Sequence, residues 1–234
     1  MAHIIFDQVT LKYPIYNAGT MSLKKAILDI GTGGKLSKDS KLVKITALEN
    51  VSFKLNDGDS VGLVGHNGAG KTTLLRTMAG IFTPISGTIS KVGKTSTIIE
   101  LGAGLDSELS GYENVFRMGL LLGMSRTQIQ DLLPSIEDFT ELGAFLEAPV
   151  RTYSSGMLMR LMFAVSTANK PEILLVDEMF GAGDKSFQDK AKARMENIIS
   201  ASKIFVFASH SDELIQKFCN RVFEISHGTL KEIS

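Results

Sequence analysis

The chain is 234 residues long, 44% hydrophobic and 21% charged, and its 25 basic and 25 acidic side chains give a formal net charge of zero. That length and apolar content suffice for a packed α/β domain, and the balanced charge argues against a nucleic-acid partner held by bulk electrostatics. The single cysteine, Cys219, excludes an internal disulfide, and the longest stretch without Asp, Glu, Lys or Arg, Thr77 to Ser90, falls short of the ~20 apolar residues of a membrane span.

The first residues, Met1-Ala2-His3-Ile4, lack the basic and then apolar regions of a secretory leader. His3 to Tyr13, with Ile5, Val9 and Leu11 among polar residues, reads as a strand whose partner is Ala47 to Leu55. Tyr13 at the strand end is either an adenine-stacking aromatic or a residue packed on its own neighbours. The intervening 17–46 insertion is far longer than the ~4–6 residues of an ordinary connection. Within it Leu23, Ala26, Ile27 and Ile30 take helical i, i+3, i+4, i+7 spacing, with Lys24 and Lys25 opposite.

The apolar run Ser60 to Val64 leads into Gly65-His66-Asn67-Gly68-Ala69-Gly70-Lys71-Thr72-Thr73, which matches the Walker A pattern between a strand and a helix Lys71 to Ala79. Backbone N–H groups of Gly65, Asn67, Gly68, Ala69 and Gly70 close round a polyphosphate, Lys71 reaches its outer phosphates, and Thr72 ligates Mg²⁺. Thr73 completes the loop, so a nucleoside triphosphate with Mg²⁺ is the expected ligand.

Gly80 closes the helix, Pro84 and Ser86-Gly87 turn the chain, and Thr88 to Val92 and Thr95 to Glu100 read as short strands. Helical patterning resumes at Leu109-Ser110-Gly111-Tyr112-Glu113-Asn114. A capping box at Ser125 to Gln128 then opens a stripe of Ile129, Leu132, Leu133 and Ile136 that Pro134 is expected to break. The helical block ends near Pro149. Tyr153-Ser154-Ser155-Gly156-Met157 next places serines at the N-cap of a helix carrying Leu158, Leu161, Met162 and Val165 on one face.

Glu172 to Asp177 is an apolar run ending in Asp177 and Glu178, and reads as a buried parallel strand. Asp177 there has the Walker B role of holding Mg²⁺, and Glu178 is placed to polarise an attacking water. A further strand, Lys203 to Ala208, delivers Ser209-His210 to the same sheet edge, where His210 is set to meet the γ-phosphate. Val222 to Ile225 and Thr229 to Ile233 form a closing hairpin about His227-Gly228.

Taken together, these motifs resemble the nucleotide-binding domain of ABC transporters over nearly the whole chain. The resemblance implies a P-loop core, an antiparallel β subdomain and an inserted α-helical subdomain of about 105–165, in a single domain of 1–234. It makes Tyr13 the adenine-stacking residue, Glu178 the catalytic base and His210 the switch histidine. Ser154, Ser155 and Gly156 become contacts to the ATP of a second copy, and Gly181-Ala182-Gly183-Asp184 the loop beside it. Glu100 stands where a glutamine usually joins Thr72 and Asp177 at Mg²⁺, and YSSGM replaces the common LSGGQ. These departures, with Glu108 to Asn114 and Gly183-Asp-Lys-Ser-Phe187, resemble the ATPase subunits of polysaccharide exporters for O antigen, capsule or teichoic acid.

The resemblance implies a head-to-tail pair with two ATP molecules at its interface, coupled to two membrane-spanning subunits and a lipid-linked glycan. The site would be the cytoplasmic face of the membrane, with Lys24 and Lys25 near the glycan's anionic pyrophosphate. Alternatives are an ABC ATPase exporting another substrate, a soluble ABC ATPase on ribosomes or DNA, and a GTPase. Neither a second cassette nor a long coiled coil supports the soluble ATPase. The GTPase reading rests on Asn169-Lys170-Pro171-Glu172, which carries Glu for Asp and precedes the acidic strand.

Overall fold

The computed structural model describes residues 1–15, 43–99, 101–177 and 185–234. Glu100, the 178–184 segment with Glu178 and Asp184, and the Lys24–Lys25 helix expected in the insertion therefore lie outside the described residues.

Strands β1 (His3–Ile15), β2 (Val43–Asn56) and β4 (Ser86–Val92) form an antiparallel sheet in the order β2-β1-β4. β2 begins inside the segment that spacing assigned to the insertion, because Ile45 and Thr46 pair with Tyr13 and Lys12 and extend the ladder. The second sheet contains β3 (Ser60–Val64), β5 (Thr95–Ile98), β6 (Ile173–Asp177), β7 (Ile204–Ala208), β8 (Arg221–Ser226) and β9 (Thr229–Glu232). Its order is β5-β6-β7-β3-β8-β9, parallel except for the β8–β9 hairpin.

Alternation along the central strands assigns their two faces. Ile173, Leu175, Ile204 and Val206 join a core with Ile4, Phe6, Val9 and Leu11 of β1 and with Leu74, Leu75 and Met78 of α1 (Lys71–Ala79). α1 is thus held between the two sheets. Leu174, Val176, Phe205 and Phe207 face the opposite core, shared with α2 (Gly111–Leu121), α3 (Arg126–Thr140), α4 (Ser155–Ser166), α5 (Lys185–Ala201) and α6 (Asp212–Phe218). Burial on both faces is why these strands read as unbroken apolar runs.

Pro134 does not end α3, contrary to the sequence expectation. Its missing N–H would have served the carbonyl of Gln130, and Pro134 and Gln130 are both exposed, so water can take that acceptor. Capping boxes at Ser110/Glu113 and Ser125/Gln128 start α2 and α3, and Gly80 ends α1 in the left-handed region at φ 87. Among the described residues no helix is long and apolar enough to cross a membrane.

Candidate functional site

The register of the parallel sheet sets the site. Leu63 of β3 lies beside Ala208 of β7, and Ala208 beside Asp177 of β6, so the phosphate loop, Asp177 and Ser209-His210 all emerge at the carboxyl edge of neighbouring strands. Ligands of open α/β sheets bind outside that edge.

Two glycines shape the loop. Gly65 has φ 147, and a Cβ there would stand 2.3 Å from the Ile225 carbonyl oxygen. Gly70, at φ 115, is the N-cap of α1 and has no side chain to occupy the first-turn N–H groups. Those donors, with the positive end of the helix dipole, are left for an outside anion. The hairpin holds the loop from behind: Gly228 N–H donates to the Ala69 carbonyl at 3.3 Å, and the His227 and His66 rings lie 5.2 Å apart.

Lys71 is buried, and its Nζ donates to the Gly65 and His66 carbonyls at 2.6 and 3.3 Å. It also lies 3.2 Å from His210 Nε2. An ammonium has only donors, so Nε2 is the acceptor and the ring proton sits on Nδ1. The loop lysine and the β7 histidine, 139 residues apart in sequence, therefore share one spot at the loop mouth.

Thr72 Oγ1 donates to Asp177 Oδ2 at 2.6 Å. A hydroxyl and a carboxylate converging beside a phosphate-binding loop are the oxygen donors a hard cation takes, and Mg²⁺ completes its shell with water and phosphate oxygens. The described residues contain no group of three or more His, Cys, Asp or Glu that could hold a metal.

Tyr13 reaches the same helix, its hydroxyl 3.4 Å from Thr73 Oγ1, and packs edge-on against Phe82 with centroids 5.3 Å apart. Its ring is half-buried.

Ser154 is the N-cap of α4 and its Oγ accepts from Met157 N–H at 3.2 Å. Ser154 and Ser155 are exposed, and a Cβ on Gly156 would meet nothing closer than Ser154 Oγ at 3.9 Å. Among the described residues no hydrogen bond or ion pair joins Ser154, Ser155 or Gly156 to the phosphate loop of the same chain. The structure thus unites Tyr13 with Thr73, Lys71 with His210 and Thr72 with Asp177, while Ser154 and Ser155 at the α4 N-terminus are exposed.

Three supporting contacts escaped sequence reasoning. Lys91 Nζ donates to the last carbonyls of α1, Met78 and Ala79, both at 3.0 Å, and burial lowers the pKa of this ammonium. Asn114 is fully buried; its amide donates to the carbonyls of Asp106, Leu109 and Ser110, and its oxygen accepts from Asp106 N–H. Tyr153 donates its hydroxyl to the Phe145 carbonyl at 2.7 Å, and Gly111 makes room for it, since a Cβ there would stand 2.3 Å from that oxygen. Burial raises the Tyr153 pKa, so the phenol stays a donor. The sequence signal for Asn114 and Gly111 was the Glu108 to Asn114 run, which periodicity alone did not explain.

Residues 48–181 match the profile of the family described as ABC transporter. The chain is 58% identical to the O-antigen export system ATP-binding protein RfbE of Yersinia enterocolitica, over 100% of this chain and 98% of that protein. It is 37% identical to the O-antigen export system ATP-binding protein RfbB of Klebsiella pneumoniae, over 98% of this chain and 92% of the relative. Identity to the teichoic acids export ATP-binding protein TagH of Listeria innocua is 36%, over 98% of this chain and 66% of the relative. Among solved structures, the dimeric post-hydrolysis state of the ATP-binding cassette MJ0796 bound to ADP and phosphate is similar at a TM-score of 0.69 and 20% identity, covering 99% of this chain and 98% of that one.

Proposed function

The chain belongs to the ABC transporter family, and on that premise we propose that it is the ATP-hydrolysing subunit of an exporter moving a lipid-linked polysaccharide across the cytoplasmic membrane. The observation that carries the chemistry is the convergence of Lys71 with His210 and of Thr72 with Asp177 at one end of the phosphate loop. The substrate class rests on the 58% and 37% identities to O-antigen export subunits.

In this reading Tyr13 stacks on adenine, the α1 N-terminus and Lys71 hold the β- and γ-phosphates, and His210 leaves Lys71 to contact the γ-phosphate. Mg²⁺ would be held by Thr72 and Asp177, with Glu100 the further candidate from the sequence, and would supply charge neutralisation at the phosphates. Glu178 follows Asp177 directly and polarises the attacking water. Ser154, Ser155 and Gly156 present a second helix N-terminus to the nucleotide of a partner copy, Asp184 being the further contact that the sequence suggests, so two copies enclose two ATP molecules head to tail. Their solvent-facing position in the single chain supports that division of labour.

We place the membrane-spanning partners over the cleft of about 290 Å³ between α1 and the helical region of about 105–165, lined by Arg76, Ile81, Phe82, Ile99, Met118 and Leu122. Ile81, which lines this cleft, is 60% exposed, and such apolar surface favours a protein cover over open water. The chain then sits peripherally on the cytoplasmic face, and closure of the pair on ATP moves the partners. Glu178→Gln in the assembled complex should retain ATP binding, trap a dimer and lose roughly 10²–10⁴-fold in turnover. Parental turnover in that variant would remove Glu178 from the chemistry.

A further inference from the structure

Glu141, just beyond α3, holds a left-handed backbone at φ 56, uncommon for a side-chain-bearing residue. Its carboxylate joins two other helices. One oxygen accepts from Arg160 Nη1 of α4 at 3.1 Å and the other from Lys190 Nζ of α5 at 2.9 Å. Lys190 also donates to the Asp138 carbonyl at 2.9 Å, tying α5 to the last turn of α3. Beneath this bridge lies an aromatic cluster: Phe187 of α5 is edge-on to Phe139 and Phe163, 5.6 and 5.9 Å away, and the Arg160 guanidinium lies 5.2 Å from its centroid. The hydrogen bond from Lys190, reinforced by its charge and by Arg160, holds the Glu141 carboxyl below the usual range, so it stays ionised at neutral pH.

The helices joined here have different duties. α4 begins at the Ser154 cap, six residues before Arg160, whereas α5 begins at Lys185, seven residues after Glu178, the residue assigned above to the chain's own nucleotide. We propose that Glu141 is a positioning residue that couples the two ATP sites of the pair: by binding Arg160 and Lys190 together it makes the α4 N-terminus, which serves the partner's nucleotide, move with the segment that serves its own. This rests on the composite-site reading above. The pair is exposed enough that its effect is modest, and it acts on the cycle more than on the fold.

The test is ATP hydrolysis by the assembled transporter as a function of ATP concentration, for Glu141→Gln, Lys190→Met and the double variant. Each should keep the ATP affinity of the isolated chain, lower the Hill coefficient towards one, and reduce kcat about two- to fivefold. The double variant should be no worse than Lys190→Met alone, because that change already breaks the Glu141 bridge together with the bond to the Asp138 carbonyl. Wild-type cooperativity and kcat in Glu141→Gln, multiplying losses in the double variant, or a parallel loss of melting temperature and ATP affinity would each overturn the proposal. Ser154→Arg, measured alongside, separates the two readings. If it abolishes turnover while Glu141→Gln behaves as wild type, only the coupling role falls; if it retains turnover, the composite site falls and the coupling role with it.

Discussion

Ser154 caps a helix, and the proposed function also sets it against a phosphate, so two substitutions can separate these tasks. Ser154→Ala removes the acceptor for Met157 N–H and should cost about 1 kcal/mol, which in a chain of this size lowers the melting temperature by about 2–4 °C. Ser154→Asp keeps an oxygen at the N-cap, where aspartate is as good as serine, so its melting temperature should stay within about 1 °C of the parent. Its charge, however, would face the γ-phosphate of the partner's ATP. Like charges about 4 Å apart at an effective dielectric near 20 repel by roughly 4 kcal/mol, and even after salt screening turnover should fall at least about 100-fold. Thermal melts on the isolated chain and steady-state hydrolysis by the assembled complex supply the two readouts. Parental turnover in Ser154→Asp would refute the phosphate-facing role, and a melt as low as that of Ser154→Ala would refute the capping argument.

Lys91→Met removes two charge-assisted bonds to the end of α1 and should cost about 1.5–3 kcal/mol in a denaturant titration; an unchanged midpoint would contradict that role. Asn114→Asp swaps three donated hydrogen bonds for a carboxylate facing carbonyls, and should destabilise at least as much as Asn114→Ala, about 3 kcal/mol, whereas the opposite order would show the amide donors to be unimportant. Partial burial pushes the Cys219 thiol up to about 12, so a thiol reagent at pH 8 should label unfolded protein much faster than folded protein; equal labelling rates would contradict that raised pKa. Glu141, Glu172, Glu196 and Glu232 are held below the usual carboxylate value of 4.5, chiefly by hydrogen bonds from Lys190, Lys203, Lys217 and Arg221. A depressed acid stabilises the fold above its unfolded pKa and loses that contribution as pH falls through the folded one, so these groups should lower the melting temperature only below about pH 4.5, and four Gln substitutions should flatten that decline.

The nucleotide site was legible because its signals are local. A strand, a glycine loop and Lys71-Thr72 lie within a dozen residues, and Asp177 and His210 each close an apolar run whose burial on both faces fixes where it ends. What local pattern could not supply is contact made across the fold. Lys91 meets α1 from another sheet, and Gly111 is explained only by Tyr153, 42 positions later, whose hydroxyl occupies the space a side chain would take. Pro134 misled because a proline's cost depends on whether the carbonyl it deprives is wet, and the sequence does not say which side of α3 that is. α5 was passed over although Phe187, Ala191, Met195 and Ile198 hold a helical spacing, because lysines, arginines and acids dilute the stripe between them. The short α6 offered only one fully buried residue, Ile215, to read.

The central claim is that ATP turnover at the phosphate loop of this chain drives polysaccharide to the cell surface. It is tested most directly by replacing the resident copy in the producing cell with Lys71→Ala, at matched protein level, and quantifying surface polysaccharide and its lipid-linked form in the cytoplasmic leaflet. The account predicts loss of the surface glycan with accumulation of the lipid-linked form inside. Parental surface glycan in those cells would contradict it.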